Sequence, residues 1–347
     1  MPTTIFPRHT GVGGVSCVDS IICAVMNAVL EVSAPVFGLG FLGYFAVRFN
    51  FFSAAHADGL ARFVYHFAVP LLLFRTLAGA AAGDIPWRLV LAYYAPVAAF
   101  YAAGMFISGA VFKRGFGAQV ITGFACSYGN AILLGLPLAL LTFGAEGQLA
   151  FFILLAFHAL SAFTVTTLAL EYGRAAGDRG HGGHGGHALG RKLAGMAKGV
   201  ATNPVLLGVI AGIVFNRLNW RIPGPLDTLA AFMQNAVTPC ALFALGATLT
   251  RYGIAGRITQ TAFIIAAKCM AFPLAVWCSC MWFGIAPLWS AVAALMAAQP
   301  VGVNVFIFAE RYNTARALAT TSVFLSTVFS LASLPLVLYL IDLYALR

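Results

Sequence analysis

Charge is the scarcest thing in this chain: 9% of its 347 residues are Asp, Glu, Lys or Arg, and only ten are acidic. A soluble globular domain carries about 25%, so a water-soluble fold is excluded; a hydrophobic share of 61% takes the place of the missing charge. The alternating ten-residue segments of a membrane β-barrel are missing too, because the apolar residues come in continuous runs. There is no G-x-x-x-x-G-K-[ST] loop, no H-E-x-x-H and no aspartate pair inside the apolar runs. ATP-driven pumping and intramembrane proteolysis therefore lack their chemistry, and the chain reads as a non-enzyme that needs no cofactor. Metal-ligand spacing is absent from the seven cysteines at 17, 23, 126, 240, 269, 278 and 280. Cys278 and Cys280 stand too close for a C-x-x-C site, so buried free thiols and no metal are expected.

What is present is enough apolar sequence for ten membrane helices. A span takes about 20 residues, and the runs lie near 27–49, 60–78, 88–112, 118–141, 148–170, 200–218, 227–249, 258–283, 288–309 and 316–341. The fold class this predicts is an all-α membrane protein. Segment 171–199, rich in Gly, His and Arg and without apolar period, divides the spans five and five and reads as a flexible linker. His181, His184 and His187 within it are separated by glycine pairs, which build no rigid metal site. Residues 1–26 differ in composition from the remainder of the chain and read as an N-terminal extension, with Met26 a second plausible start running straight into the first span. The predicted organisation is an extension at 1–26, one five-helix repeat at 27–170, the linker at 171–199 and a second repeat at 200–347.

The two repeats can be aligned without a gap. Sliding the chain by 169 residues superposes Pro35 on Pro204, Gly43 on Gly212, Arg48 on Arg217, Asp58 on Asp227, Pro70 on Pro239 and Phe74 on Phe243. Shared apolar composition does not place Pro, Gly, Arg and Asp in one register. With five spans in each half, the second copy must insert upside down, giving inverted repeats. The net charge of +10 fits this layout better than it fits nucleic acid, because the basic residues sit in short loops. With both termini outside, inner loops hold 13 Lys and Arg and outer segments 6, which predicts a cytoplasmic 171–199 loop.

Two of the apolar stretches are interrupted. In 119–146 the breaks come at Gly129, Asn130, Gly135 and Pro137; in 288–310 they come at Pro300, Gly302 and Asn304. A helix carrying such residues cannot keep an unbroken hydrogen-bond ladder. In lipid a broken helix persists only where protein or a water-lined cavity satisfies the freed backbone groups. Two such segments in corresponding halves point to the midplane binding site of a secondary transporter.

Ten spans as five plus five, SYGNAILLGLPL in the fourth, AAKCMAFPL in the eighth and AAQPVGVNVFIFAERY in the ninth together resemble the auxin efflux carrier family, whose bacterial members include malonate carriers. The similarity runs from Met26 onward. It implies the fold shared with sodium–proton antiporters and bile-acid transporters, with spans 4 and 9 broken and crossing near the midplane. It also makes Pro137 and Pro300 the crossover prolines and implies a scaffold of spans 1, 2, 6 and 7 against a moving bundle of 3–5 and 8–10. The linker is short, unlike the long central loops of some plant members.

Asn130 and Asn304, with Gly129 and Val303 beside them, are the candidate substrate ligands. An amide can donate to a carboxylate and accept from a backbone N–H, and half-helix N-termini favour anions. Substrate contact and capping of the broken backbone both remain open for the two asparagines. Pro137, Pro300, Gly135 and Gly302 are assigned to the break itself. Lys268 is the one Lys or Arg deep in a span, where a charge is costly and functional by default. It can neutralise half-helix C-termini or supply positive potential to an anion, and the first is expected. His66 and His158 are expected to be packing residues rather than proton relays. No acidic residue falls mid-span, Glu31 and Glu310 lying near span ends, so aspartate-based proton exchange has no carrier.

The function these features imply is alternating-access transport of a small organic anion, malonate or a similar carboxylate or an auxin-like weak acid, across the inner (plasma) membrane. Membrane lipid is the surrounding partner, nucleic acid is not one, and a homodimer is an assembly open to this class. A sodium-coupled bile-acid-like symporter and a non-translocating membrane receptor are the alternatives.

Overall fold

The computed structural model describes residues 17–79, 86–178, 203–254 and 258–345, and among these the regular structure is helical. Helix α1 is Cys17–Arg48. Helix α2 runs from Ala54–Phe63 through a π-turn at Val64–Ala68 into Val69–Ala78. Then come α3 (Trp87–Ala110), α4 (Phe116–Ser127), α5 (a π-turn at Ala131–Gly135 leading into Leu136–Thr142) and α6 (Ala145–Asp178). The second half holds α7 (Pro204–Arg217), α8 (Gly224–Leu249) and α9, made of Ile258–Ala266, a π-turn at Ala267–Ala271 and Phe272–Trp282. Helices α10 (Pro287–Ala297), α11 (Val303–Arg311) and α12 (Arg316–Ala345) complete it.

Six helices among the described residues are long and apolar enough to cross a membrane: Ala55–Ala78, Trp87–Ala110, Glu146–Arg174, Gly224–Leu249, Ile258–Trp282 and Arg316–Tyr344. The ten expected spans map onto the helices unevenly. Those at 118–141 and 288–309 are each two short helices, α4 with α5 and α10 with α11. The one at 200–218 is described from Asn203 and holds the 14-residue α7. The boundary expected at residue 26 falls inside α1, and residues 1–16 lie outside the described residues. Helix α6 carries the expected linker's first residues to Asp178, and the three linker histidines also lie outside.

The three π-turns among the described residues share a sequence cause. Each is followed within two residues by a proline, at Pro70, Pro137 and Pro273. Proline offers no N–H and crowds the carbonyl four residues back; the extra residue of a π-turn moves that carbonyl aside without ending the helix.

Packing turns the sequence repeat into contacts. Helix α1 packs on α8, and α7 packs on the second half of α2. A Cβ on Gly43 would strike the Phe243 backbone, and one on Gly212 would strike the Phe74 backbone. The aligned glycines therefore pack against the aligned phenylalanines of the other half, and only a missing side chain lets the backbones come so close. The aligned aspartates act likewise. Asp58 at the start of α2 pairs with Arg251 just past the end of α8 at 2.7 Å. Asp227 at the start of α8 takes a two-pronged contact from Arg75 near the end of α2, at 2.7 and 3.2 Å.

Outward-facing residues include Phe106, Phe232 and Trp282, each well over half exposed. Such a surface would be a liability in water, but it matches lipid tails. The same logic corrects the expectation of uniformly buried thiols. Cys126, Cys269 and Cys280 are buried, whereas Cys240 is half-buried and Cys278 exposed beside Leu274 and Met281 on the outer face of α9. Inside, α3, α4 and α9 are tied by a buried polar network. Gln260 donates to Ser108 and Thr122 and accepts from Arg114.

Candidate functional site

The two broken stretches meet. Residues 128–130 between α4 and α5 leave the helix, as do 300–302 between α10 and α11, and Gly129 bridges Val301 in antiparallel fashion. Asn130 N–H donates to the Pro300 carbonyl at 2.9 Å, and Gly302 N–H donates to the Tyr128 carbonyl at 3.1 Å. A break in one helix thus satisfies the break in the other, which answers the demand that no backbone polar group go unpaired in an apolar interior. Val301 N–H goes to the Ser326 hydroxyl of α12 at 3.0 Å.

Helix ends therefore converge at one place. Asn130 is the N-cap of α5, its side-chain oxygen accepting from Leu133 N–H at 3.3 Å. Its amide nitrogen is buried and has no hydrogen-bond partner among the described residues. Gly302 is the N-cap of α11 and supplies no side-chain bond, leaving the first N–H groups of that helix to other partners. Val303 opens α11, and Asn304 follows it, half-buried, its amide donating to the Tyr128 hydroxyl at 3.0 Å.

Lys268 lies in the π-turn of α9, fully buried. Its ammonium donates to the carbonyls of Ala297 and Gln299 at 2.5 and 2.7 Å, at the C-terminal end of α10. It also stands 4.9 Å from the Phe272 ring centroid. A cation over uncapped C-terminal carbonyls complements the negative end of the helix dipole. Among the described residues no carboxylate pairs with it.

The two prolines are placed differently. Pro300 lies in the extended crossing and offers its carbonyl to Asn130, whereas Pro137 sits in the first turn of a helix seven residues past Asn130. The π-turn before Pro137 absorbs the lost N–H, so the chain stays helical there. Gly135 ends that π-turn against Gln299 and Phe151. Gly129 and Gly302 are held to glycine by close approach: a Cβ on the first would lie 2.9 Å from the Gln299 side chain, and one on the second 2.6 Å from the Tyr128 ring.

Three residues at the site carry roles their sequence context did not announce. Tyr128 stands directly before Gly129, and a polar aromatic at a helix break is a signal that could have drawn attention. Gln299 precedes Pro300; its side-chain oxygen is buried without a partner among the described residues, while its nitrogen donates to Leu295 O at 2.9 Å. Ser326 had no local signal, being one hydroxyl among several in α12. His158 is buried and its ring stacks on Tyr128 at 4.3 Å, with Nε2 unpartnered among the described residues. His66 is exposed and bonded to the Arg62 carbonyl at 2.9 Å, away from the site. Glu31 and Glu310 are exposed.

Chemically, this is a polar knot in an apolar interior that combines two helix N-termini, an unspent amide and a buried cation. Helix N-termini complement negative charge and an amide N–H offers a donor, while the cation is committed to the α10 carbonyls.

Comparison with known proteins agrees in kind. The family model described as "Membrane transport protein" matches residues 28–180 and 193–338. A protein of Rhizobium meliloti named "Putative malonate transporter" is 28% identical over 313 residues, covering 88% of this chain and 94% of that protein. Auxin efflux carrier component 5 of Arabidopsis thaliana is 24% identical over 343 residues, covering 90% and 96%. The lysosomal cholesterol signaling protein of Mus musculus is 26% identical over 333 residues, which is 85% of this chain and 35% of that protein.

Proposed function

We propose, from the premise that this chain belongs to the membrane transport protein family of the auxin efflux carriers, that it carries a small organic anion, malonate or a similar carboxylate, across the inner (plasma) membrane by alternating access. The observation that carries the proposal is the Gly129–Val301 bridge, where two half-helix N-termini and the amides of Asn130 and Asn304 gather. In this reading the anion is held by the free amide nitrogen of Asn130 and by the N-terminus of α11 with Asn304. Lys268 balances the end of α10 and does not touch substrate.

The layout proposed with it is ten spans in two inverted repeats. The reciprocal contacts of Gly43 with Phe243 and Gly212 with Phe74, and the ion pairs at opposite ends of α2 and α8, support a two-fold relation between the halves. Helices α1, α2, α7 and α8 form the scaffold. The network joining Gln260, Ser108 and Thr122 supports α3, α4 and α9 moving as one body. The excess of Lys and Arg in alternate loops favours both termini outside and residues 171–199 in the cytoplasm.

Thermal unfolding of the purified chain against a panel of carboxylates tests the ligand class, since binding to the folded state raises the melting temperature. No shift with malonate or any other carboxylate would remove the anion assignment. A receptor that binds without translocating is the second reading, favoured by one observation, that the mouse relative is named a signaling protein. Counterflow in proteoliposomes separates the two, because a receptor gives none, and a sodium requirement would select the symporter instead. Cysteines introduced between 175 and 190 should be shielded from impermeant thiol reagents applied outside intact cells; labelling there would reverse the orientation.

A further inference from the structure

We infer that the Tyr128 hydroxyl is a direct, specificity-determining ligand of the substrate carboxylate, and that Asn304 acts through it. The inference rests on the anion-carrier reading above and changes which atoms do the holding.

Tyr128 is the last residue before the bridge and the C-cap of α4, with extended backbone at φ −108° and ψ 121°. Its carbonyl is spent on Gly302 N–H, which anchors the backbone. Its ring lies against Gly302, the N-cap of α11, closely enough that only glycine fits there. The opposite side of the ring environment is aromatic: His158 stacks on it at 4.3 Å and 13°, with Phe124 at 4.8 Å and Phe163 at 5.9 Å between centroids. The side chain is therefore fixed in position by packing rather than by its hydroxyl, and the residue is only 5% exposed.

That hydroxyl accepts the Asn304 amide at 3.0 Å. Having accepted, it still has its own proton to give, and among the described residues it donates no hydrogen bond. A buried O–H without an acceptor is costly, and one that already accepts an amide N–H is polarised into a better donor. Among the described residues the unspent buried side-chain atoms include the Asn130 amide nitrogen and His158 Nε2, while the unspent Gln299 side-chain oxygen belongs to a side chain packed against Gly135. A carboxylate at the N-terminus of α11 would take the Tyr128 proton as a charge-assisted bond. Asn304 then serves as a positioning residue that orients and polarises the phenol. Discrimination follows: a ligand lacking an acceptor at this point leaves the phenol proton unpaired and is rejected.

The decisive variant is Tyr128→Phe, which keeps the ring and its stacking and removes only the oxygen. Radiolabelled malonate, with acetate and succinate as further probes, is measured against the purified full chain in detergent. Malonate affinity should fall about tenfold or more, the usual cost of one hydrogen bond to a charge, while the ligand-free melting temperature stays close to that of the unaltered chain. Asn304→Ala should weaken binding, and Tyr128→Phe with Asn304→Ala should bind no worse than Tyr128→Phe alone, because one acts through the other. Unchanged or tighter binding in Tyr128→Phe would overturn the inference, as would strict additivity of the two changes. Asn130→Ala is the parallel arm: if it weakens binding while Tyr128→Phe does not, only the phenol assignment fails. If neither variant alters binding, or the unaltered chain binds none of the three probes, the site reading fails with it.

Discussion

The break between α4 and α5 and the break between α10 and α11 solve one problem by different means. Both leave helix ends in an apolar interior. At the first, a side chain of the break itself does the capping, with Asn130 closing the N-terminus of α5. At the second, the cap position is Gly302, and help comes from elsewhere: Lys268 of α9 covers the C-terminal carbonyls of α10, and Ser326 of α12 takes Val301 N–H. Beyond the two hydrogen bonds the breaks share, the first is capped by its own side chain and the second draws on α9 and α12. Asn130 therefore has a structural duty that Asn304 lacks, although both follow a break in sequence.

The largest expected effect tests that dependence. Lys268→Met keeps the length and apolar character of the side chain but strips two carbonyls of a charged donor. Hydrogen bonds to charged groups contribute about 1.5–3 kcal/mol each, so the ligand-free protein should lose about 3 kcal/mol of stability, read as a lower melting temperature in detergent. Unaltered melting would show that the second break stands without its cation.

Gly302→Ala comes next. The new methyl meets the Tyr128 ring and the Gly129 carbonyl, and overpacking of this kind costs about 1–3 kcal/mol. Gly38→Ala is the reference, since a Cβ there meets nothing within 4 Å. Equal melting of the two variants would mean the breaks are not pressed together.

The asparagines separate the halves more finely. Asn130→Ala removes an N-cap worth about 1 kcal/mol and should lower both melting temperature and carboxylate affinity. Asn304→Ala caps nothing, so its loss should appear in affinity alone, as a fivefold to 150-fold weakening for about 1–3 kcal/mol. Matching stability losses in the two variants would erase the proposed asymmetry. Ser326→Ala should have the smallest effect, about 1 kcal/mol for one neutral hydrogen bond, detectable as faster exchange of the Val301 amide with solvent deuterium.

Much of this is legible in the sequence. The interruptions at Gly129–Asn130 and at Pro300–Gly302 follow from local chemistry, and each falls where the helices stop. Lys268 stood out because a lone cation in an apolar run demands a partner. Pro137 lies inside a helical turn, and a proline alone does not say whether a helix ends or admits a π-turn. Tyr128 carries a weak local signal as a polar aromatic at a helix break, whereas nothing local reveals that a distant N–H reaches Ser326.

The sequence by itself determined that the chain is helical and membrane-bound, where its helices are interrupted, and that residues 35–78 repeat at 204–247. These are properties of side-chain hydropathy and of backbone groups within a few residues of one another. Only the tertiary structure decided how the two breaks are matched. In sequence the asparagines are 304 − 130 = 174 apart and suggest equivalence. The bridge instead runs antiparallel, pairing Asn130 with Pro300 and Tyr128 with Gly302, so no constant offset relates the two breaks, and it leaves Asn304 to a tyrosine. The register of two extended segments is fixed by which N–H meets which carbonyl across the break, and that depends on how α9 and α12 hold the second segment in place.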